Sequence, residues 1–229
     1  MPSLFISDLH LDETRPHIVD LFATLLAGPA RDANALYILG DLFESWIGDD
    51  DDAALAARAS AATRALSGHG VPVYFIHGNR DFLLGEGYAA CAGITLLRDG
   101  SVVDLDGERT LLMHGDTLCT DDVEYLKFRA MVRDPRWQQQ FLARPLAERR
   151  AYAAQARDAS RMHTASARPE IMDVNPRAVA DAMRAHDVRR LIHGHTHRPA
   201  THGFDLDGQR AERIVLGDWY EQDSFLAIG

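Results

Sequence analysis

Short apolar, β-prone runs recur along the first half of the chain, separated by stretches whose apolar residues return every three to four positions. Ser3–Ser7, Ala35–Leu39 and Val71–Ile76 are the runs. Between them, an amphipathic stretch follows Pro16 and reaches Leu26 before the stop Gly28-Pro29, and the alanine-rich Ala53–Leu66 ends at Gly68-His69-Gly70. This alternation predicts an α/β fold. From Ile94 the pattern turns more strongly to strands: Ile94–Leu97, Val102–Leu105 and Arg109–Met113, with Asp106-Gly107 as a hairpin signal. The tail repeats it with Gly203–Leu206, Asp207-Gly208, Glu212–Leu216 and a last strand at Ser224–Ile228, while Asn175-Pro176 opens a helix reaching His186.

One segment departs from the alternation. Between Asp121 and Ala167 only helical periodicity is visible, broken at Pro135 and Pro145. We therefore expect a core formed by 1–120 and 168–229 and a helical cap formed by 121–167. The cap is rich in arginine, with Phe128, Met131, Trp137, Phe141 and Leu142 interleaved.

Polar loops follow the apolar runs at five places. Ser3–Ser7 leads into Asp8-Leu9-His10, Ala35–Leu39 into Gly40-Asp41, and Val71–Ile76 into His77-Gly78-Asn79-Arg80-Asp81. Thr110–Met113 leads into His114-Gly115-Asp116, and Leu191-Ile192 into His193-Gly194-His195-Thr196-His197. Open α/β sheets bind ligands beyond the carboxyl ends of their strands, so these loops are expected to meet at one edge. They would pool Asp8, His10, Asp41, Asn79, His114, His195 and His197. Asp41, the lone acid of its loop tip, is the natural bridge. A mixed shell of imidazole and oxygen donors suits Mn²⁺, Fe²⁺ or Zn²⁺ better than Mg²⁺ or Ca²⁺. Two such ions about 3.5–4 Å apart activate water for in-line displacement at phosphorus.

Other polar residues carry plainer readings. His17, His69, His163, His186 and His202 are expected to be structural or exposed, and His77 and His193 packed beside the site. Asp81 and Asp116 are expected to orient loops or ligand histidines. The run Asp49–Asp52 reads as a solvated lead-in to a helix.

Composition narrows the function classes. The 229 residues are 46% hydrophobic and 25% charged, an ordinary globular balance. A net charge of −10 argues against binding nucleic acid through its phosphates. Cys91 and Cys119 are far apart and fit a reducing compartment. The N-terminus enters a strand with no basic leader, which predicts no signal peptide, and no apolar run nears the ~20 residues that span a bilayer.

The strings D-x-H, G-D, G-N, H-G-D and G-H-T-H resemble the signature of the calcineurin-like metallophosphoesterases. That resemblance implies a four-layer α/β/β/α sandwich with an inserted helical cap and a dinuclear centre. The first metal would take Asp8, His10, Asp41 and His197, and the second Asp41, Asn79, His114 and His195. Many members carry a histidine after the G-N asparagine, where this chain has Arg80. Arginine pairs bidentately with phosphate and does not donate a proton near neutral pH. This departure favours a phosphoanhydride substrate, whose phosphate leaving group needs charge stabilisation more than a proton.

Longer strings, GDLFESWIGDDD from Gly40, HGNRDFLLG from His77, HGDTL from His114 and HGHTHRP from His193, are similar to the UDP-2,3-diacylglucosamine pyrophosphohydrolases of lipid A biosynthesis. Similarity to that family implies two Mn²⁺ per subunit and water attack on the α-phosphorus, giving UMP and 2,3-diacylglucosamine 1-phosphate. It implies catalytic roles for Asn79, Arg80 and His195, and substrate contacts from those three with Asp122, Ser160, Thr164 and Ala167. Thr164 and Ala167 stand where the family often has an amide and a lysine, and Arg157 or Arg168 could supply the missing charge. A lipid-linked substrate further implies a cytoplasmic protein peripheral to the inner membrane. The competing readings are a soluble nucleotide pyrophosphatase or cyclic-nucleotide phosphodiesterase on the same centre, and a metal-dead binding scaffold.

Overall fold

Strands β1 (Ser3–Ile6) and β2 (Ala35–Ile38) are buried at every position, which is why they read as continuous apolar runs and not as alternating ones. They lie parallel to each other, and β3 (Val73–Ile76) and β4 (Ile94–Leu97) continue the parallel order outward. A computed structural model describes residues 1–166, 171–220 and 224–229, with the backbone alone for 163–166. Helices α1 (Pro16–Ala27), α2 (Ala54–Gly68) and α3 (Glu86–Ala92) make the crossovers and bury Ile18, Phe22, Leu66 and Ala89 against Leu4, Leu36 and Phe75 of the sheet.

The second sheet begins with the hairpin β5 (Ser101–Leu105) and β6 (Glu108–Leu112). Its turn residues Asp106 and Gly107 both have positive φ, 54° and 85°, as a two-residue hairpin turn requires. Three cap helices follow: α4 (Val123–Val132), α5 (Pro135–Leu142) and α6 (Leu146–Ser166). Helix α7 (Pro176–Ala185), with Asn175 as N-cap, leads into β7 (Arg190–His193). Then come β8 (Ala200–Leu206) and β9 (Gln209–Val215), joined through Asp207-Gly208. Finally β10 (Leu226–Ile228) returns to the first sheet, antiparallel to β1.

The sheets run β10-β1-β2-β3-β4 and β5-β6-β7-β9-β8. Their facing sides share one apolar layer, including Phe5, Tyr37, Ile76, Leu112 and Ile192. Outside the second sheet, Val179 and Met183 of α7 pack on Leu111 and Leu191. The layers are therefore α/β/β/α, as expected. Helix α3 was not evident in the sequence: its seven residues are too few to show a helical period. Strands β8 and β9 also extend beyond the expected bounds, because the hairpin ladder runs on through exposed polar residues.

The run Asp49–Asp52 leads into α2 and is largely exposed, as expected, but its acids also make specific contacts. Asp49 accepts hydrogen bonds from the Gly85 and Tyr88 amides at 2.8 and 2.9 Å and so fixes the start of α3. Asp50 pairs with the buried guanidinium of Arg149, which also donates to the Ile47 carbonyl at 2.7 Å. Arg150 pairs with Asp51 and Asp52. Together with Trp137, Phe141 and Tyr152 packed into the apolar cluster around Trp46, these pairs hold α5 and α6 against the loop after β2.

Candidate metal centre

Five of the seven expected ligands sit in left-handed backbone: Asp8 (φ 55°), His10 (49°), Asp41 (53°), His195 (69°) and His197 (55°). Such φ values are uncommon outside glycine and mark chain held in place by its surroundings. The loops after β1 and β2 are zipped together, with Asp8 N donating to Gly40 O (3.1 Å), His10 N to Asp41 O (2.9 Å) and Leu11 N to Leu42 O (2.8 Å). A Cβ on Gly78 would lie 2.1 Å from Asp41 Oδ1, and one on Gly194 would lie 2.3 Å from Asp8 Oδ2. Those contacts explain why glycine precedes Asn79 and His195. Asp81 completes the frame: fully buried, it accepts from the amides of Leu42 (2.7 Å) and Gly78 (2.9 Å), tying two ligand loops to one carboxylate.

All seven side chains meet at the carboxyl ends of the strands. His10 Nε2 lies 4.0 Å from Asp8 Oδ1, 3.8 Å from Asp41 Oδ2 and 3.4 Å from His197 Nε2. His197 Nε2 is 3.3 Å from Asp8 Oδ1. On the other side, His114 Nε2 is 3.8 Å from Asp41 Oδ1, and Asn79 Oδ1 lies 3.0 Å from both His114 Nε2 and His195 Nδ1. Asp41 thus turns one oxygen toward each group. Asp8 also reaches both, since it clusters with His10 and His197 and again with Asp41 and His114.

The ring orientations suit a cation. His10 directs Nδ1 to Glu44 (3.2 Å), His114 to the Leu39 carbonyl (2.8 Å) and His197 to Asp218 (3.2 Å). Each arrangement leaves Nε2 facing the cluster, as metal-binding histidines require. Asp8 Oδ1 is buried and accepts no hydrogen bond among the described residues. A lone carboxylate oxygen in that position is costly unless a cation faces it. The donor set therefore fits divalent metal.

Charges in the cluster perturb one another strongly. Burial would raise the Asp8 carboxyl, but His197, His114 and His10 together pull it below the usual range. His114 is pushed up to about 9: burial opposes this, and the Asp41 and Asp8 charges overcome it. His195 goes the other way, down to about 4, through burial of the ring and the neighbouring His114 charge. Asp81 is raised to about 6 by burial and by Asp41.

Beside the centre, a cavity of about 310 Å³ runs under the cap. Asn79, Arg80 and Tyr125 line it together with the aromatic rings of Phe82, Trp137 and Phe141.

The fold and this cluster agree with the comparison of the whole sequence with known families, in which residues 1–199 match the Calcineurin-like phosphoesterase family. The chain belongs to that family. Among curated relatives of this phosphoesterase, the UDP-2,3-diacylglucosamine hydrolase of Stenotrophomonas maltophilia (strain K279a) is 52% identical, covering 100% of this chain and 95% of the relative. That of Klebsiella pneumoniae is 53% identical over 100% and 95%, and that of Aeromonas hydrophila 54% identical over 99% and 94%. Family membership and the clustered donors together give the phosphoesterase a divalent metal centre.

The remaining expected site residues are placed as follows. Arg80 lines the cavity, its amide donating to Asp41 Oδ1 at 2.8 Å. Ser160 lines the cavity from α6. Asp122 is buried and caps α4 by accepting from the Tyr125 amide at 3.0 Å. Thr164 belongs to α6 but its side chain lies outside the described residues, as do the His163 side chain, Ala167 and Arg168. Arg157 lines the cavity and pairs with Glu44. Of the two flanking histidines, His77 Nε2 donates to the Leu84 carbonyl at 2.7 Å and His193 Nδ1 to the Gly194 carbonyl at 2.8 Å, so both are packed beside the ligands. Asp116 does more than orient a histidine: it accepts from Arg129 at 2.7 Å and from Tyr125, joining the His114 loop to α4.

Sequence reasoning missed Glu44 and Asp218 as partners of ligand histidines, and Tyr125 as a cavity residue. Glu44 lies in the string from Gly40 that carries the resemblance and Asp218 beside Trp219 near the end of the chain, but no spacing rule pairs them with His10 or His197.

Proposed function

We propose that this phosphoesterase hydrolyses the pyrophosphate bond of UDP-2,3-diacylglucosamine, giving UMP and 2,3-diacylglucosamine 1-phosphate (lipid X) in lipid A biosynthesis. The observation that carries the reading is the cavity under the cap, which joins Asn79 and Arg80 to a wall of aromatic and aliphatic side chains. A diphosphate ending in fatty chains matches that mixed lining; a small polar nucleotide has no use for so many apolar side chains.

We assign Asp8, His10, Asp41 and His197 to one Mn²⁺ and Asp41, Asn79, His114 and His195 to a second. Bound there, the two ions supply an activated water and neutralise charge on the α-phosphate. Arg80 presents its guanidinium beside Asp41, with Nε 4.0 Å from Oδ2, and lines the cavity, where a guanidinium would pair with a diphosphate. His195 stays neutral near pH 7, which suits a ligand or a hydrogen-bond partner to phosphate more than a proton donor. Asn79 orients the same phosphate, and Asp122 and Ser160 contact the glucosamine, with Thr164 and Ala167, whose side chains lie outside the described residues, as further candidate contacts. Arg157 keeps Nε and Nη1 without hydrogen-bond partners among the described residues, so it supplies the positive charge that Thr164 and Ala167 lack.

Residues 1–120 and 168–229 make the phosphoesterase core and 121–167 the cap over its site. Among the described residues, no helix is long and apolar enough to cross a membrane. We assign the protein to the cytoplasmic side of the inner membrane as a peripheral visitor, where exposed Met131 and Met162 on the cap have Arg129, Arg133 and Arg161 close by in the chain. An assay on UDP-2,3-diacylglucosamine with manganese, using UDP-glucose and a cyclic nucleotide as controls, tests the reading. Turnover of the diacylated substrate well above both controls supports it, and preference for either control overturns it.

A further inference from the structure

Glu44 stands between the metal edge and the cap, and contacts both. Its Oε2 is 3.2 Å from Nδ1 of His10, and its Oε1 accepts from Arg157 of α6. The backbone fixes that arrangement: Glu44 N donates to Leu11 O at 3.1 Å, and Leu11 forms a parallel bridge with Phe43. The Glu44 carboxylate therefore faces Nδ1 of His10 at ion-pair distance, while His10 Nε2 faces Asp8, Asp41 and His197. Arg15 closes the group, donating to the His10 carbonyl and lying 4.0 Å from Glu44 Oε2.

We propose that Glu44 is a positioning residue that fixes the ring of His10 for metal and, through Arg157, makes metal binding and cap placement depend on each other. A carboxylate accepting from Nδ1–H selects the tautomer with a free Nε2 and makes that nitrogen a better donor. The same carboxylate is half of the ion pair that draws α6 toward the metal edge. Any shift of α6 that breaks the Arg157 pair changes the charge balance around Glu44 and so the hold on His10. Thermodynamic linkage makes the effect reciprocal: if the seated cap strengthens metal binding, metal binding strengthens seating of the cap. Nothing comparable joins the other ligands to α6 among the described residues: His114 is oriented by a backbone carbonyl of the core, and His197 by Asp218.

The inference rests on the divalent centre assigned above, and its test separates the two. Metal-free full-length protein is titrated with Mn²⁺ and binding measured directly by calorimetry and by electron paramagnetic resonance of free Mn²⁺. Glu44→Gln and Glu44→Ala are expected to weaken one of the two bound ions about 10–100-fold, the range for loss of such an outer partner. Arg157→Ala is expected to give a smaller shift of the same ion, Arg157→Lys to restore part of it, and Arg157→Ala to add nothing in a Glu44→Ala background. Hydrogen exchange gives a second readout: Mn²⁺ should slow exchange of α6 amides near Arg157 in the wild type and lose that effect in Glu44→Gln. Should Glu44→Ala fail to fold by circular dichroism, the near-isosteric Glu44→Gln carries the test. Wild-type manganese affinity in Glu44→Gln, or additive effects of the two positions, overturns the proposal and leaves the centre standing. A wild type that binds no Mn²⁺ overturns both.

Discussion

Arg129 of α4 donates from Nε to the buried Oδ2 of Asp116 at 2.7 Å, and that contact fastens the cap to the loop carrying His114. Asp116 also receives the Tyr125 hydroxyl, so one carboxylate serves two residues of one helix turn. Arg129 and His114 hold the Asp116 carboxyl far below its usual range even though burial opposes this. Asp116→Asn should keep the shape and lose the charge, loosening α4 by about 1–3 kcal/mol. Limited proteolysis should cut the 121–167 region faster in the variant, and an unchanged rate would show that the apolar contacts of α5 and α6 alone seat the cap.

Asp41→Asn should weaken both metals together, since a neutral amide does not balance two dications. Loss of several kcal/mol of electrostatic stabilisation corresponds to a fall of roughly 10³-fold in turnover. Metal analysis is the check: two ions retained at wild-type affinity would remove Asp41 from the bridging position.

Arg80→Ala should lose hydrolysis without losing metal. A charge-assisted phosphate contact is worth about 1.5–3 kcal/mol, or roughly 10–150-fold in kcat/KM. Arg80→Lys should recover part of the activity, because it restores charge without the two-pronged geometry. An Arg80→His variant as active as wild type on the diphosphate would refute the leaving-group reasoning.

The cavity itself can be plugged. Phe141 is a poor target because it is only 3% exposed and stacks on Trp137 at 4.9 Å, so a charge there would disrupt the cap. Ala156 lines the same cavity with a small side chain. Ala156→Phe should displace several methylenes of acyl chain, each worth about 0.8 kcal/mol, and raise KM for the diacylated substrate by about tenfold or more. A short soluble diphosphate should be turned over as before, and equal losses on both would mean that the apolar wall serves only cap packing.

Stability should fall on mild acidification because of His193. Burial, with Arg213 nearby, pushes this histidine down from 6.5 to about 3. The folded protein keeps it neutral while the unfolded chain takes up a proton below about pH 6.5, so its contribution is full above that pH and is lost as pH falls toward 3. The slope from this group approaches about 1.4 kcal/mol per pH unit. Urea unfolding of metal-free wild type and His193→Gln between pH 7 and 5 should show a shallower dependence in the variant.

Strand ends carried most of what the sequence disclosed. Each candidate ligand follows an apolar run, and the strand ends of the two sheets bring the five scattered loops to one edge, so the meeting of Asp8, His10, Asp41, Asn79, His114, His195 and His197 could be expected without coordinates. What remained hidden depends on partners far apart in sequence. Asp50 resembles any exposed acid until Arg149 arrives from α6, and Glu44 resembles one until His10 and Arg157 meet it. Leu142, interleaved with Trp137 and Phe141 in the cap sequence, is 40% exposed and does not line the cavity as they do. Helical periodicity gave the cap's helices but not which side of the last turn faces inward.

The left-handed backbone at Asp8, His10, Asp41, His195 and His197 has a consequence for engineering. Each of these side chains occupies a conformation that glycine would adopt at lower energy, by about 1–2 kcal/mol per residue. Selection of metal-free protein for heat resistance alone would thus favour erasing the residues that hold the ions. The most thermostable descendants from such a screen should be catalytically silent, and a campaign to harden this enzyme must keep its divalent metal present throughout.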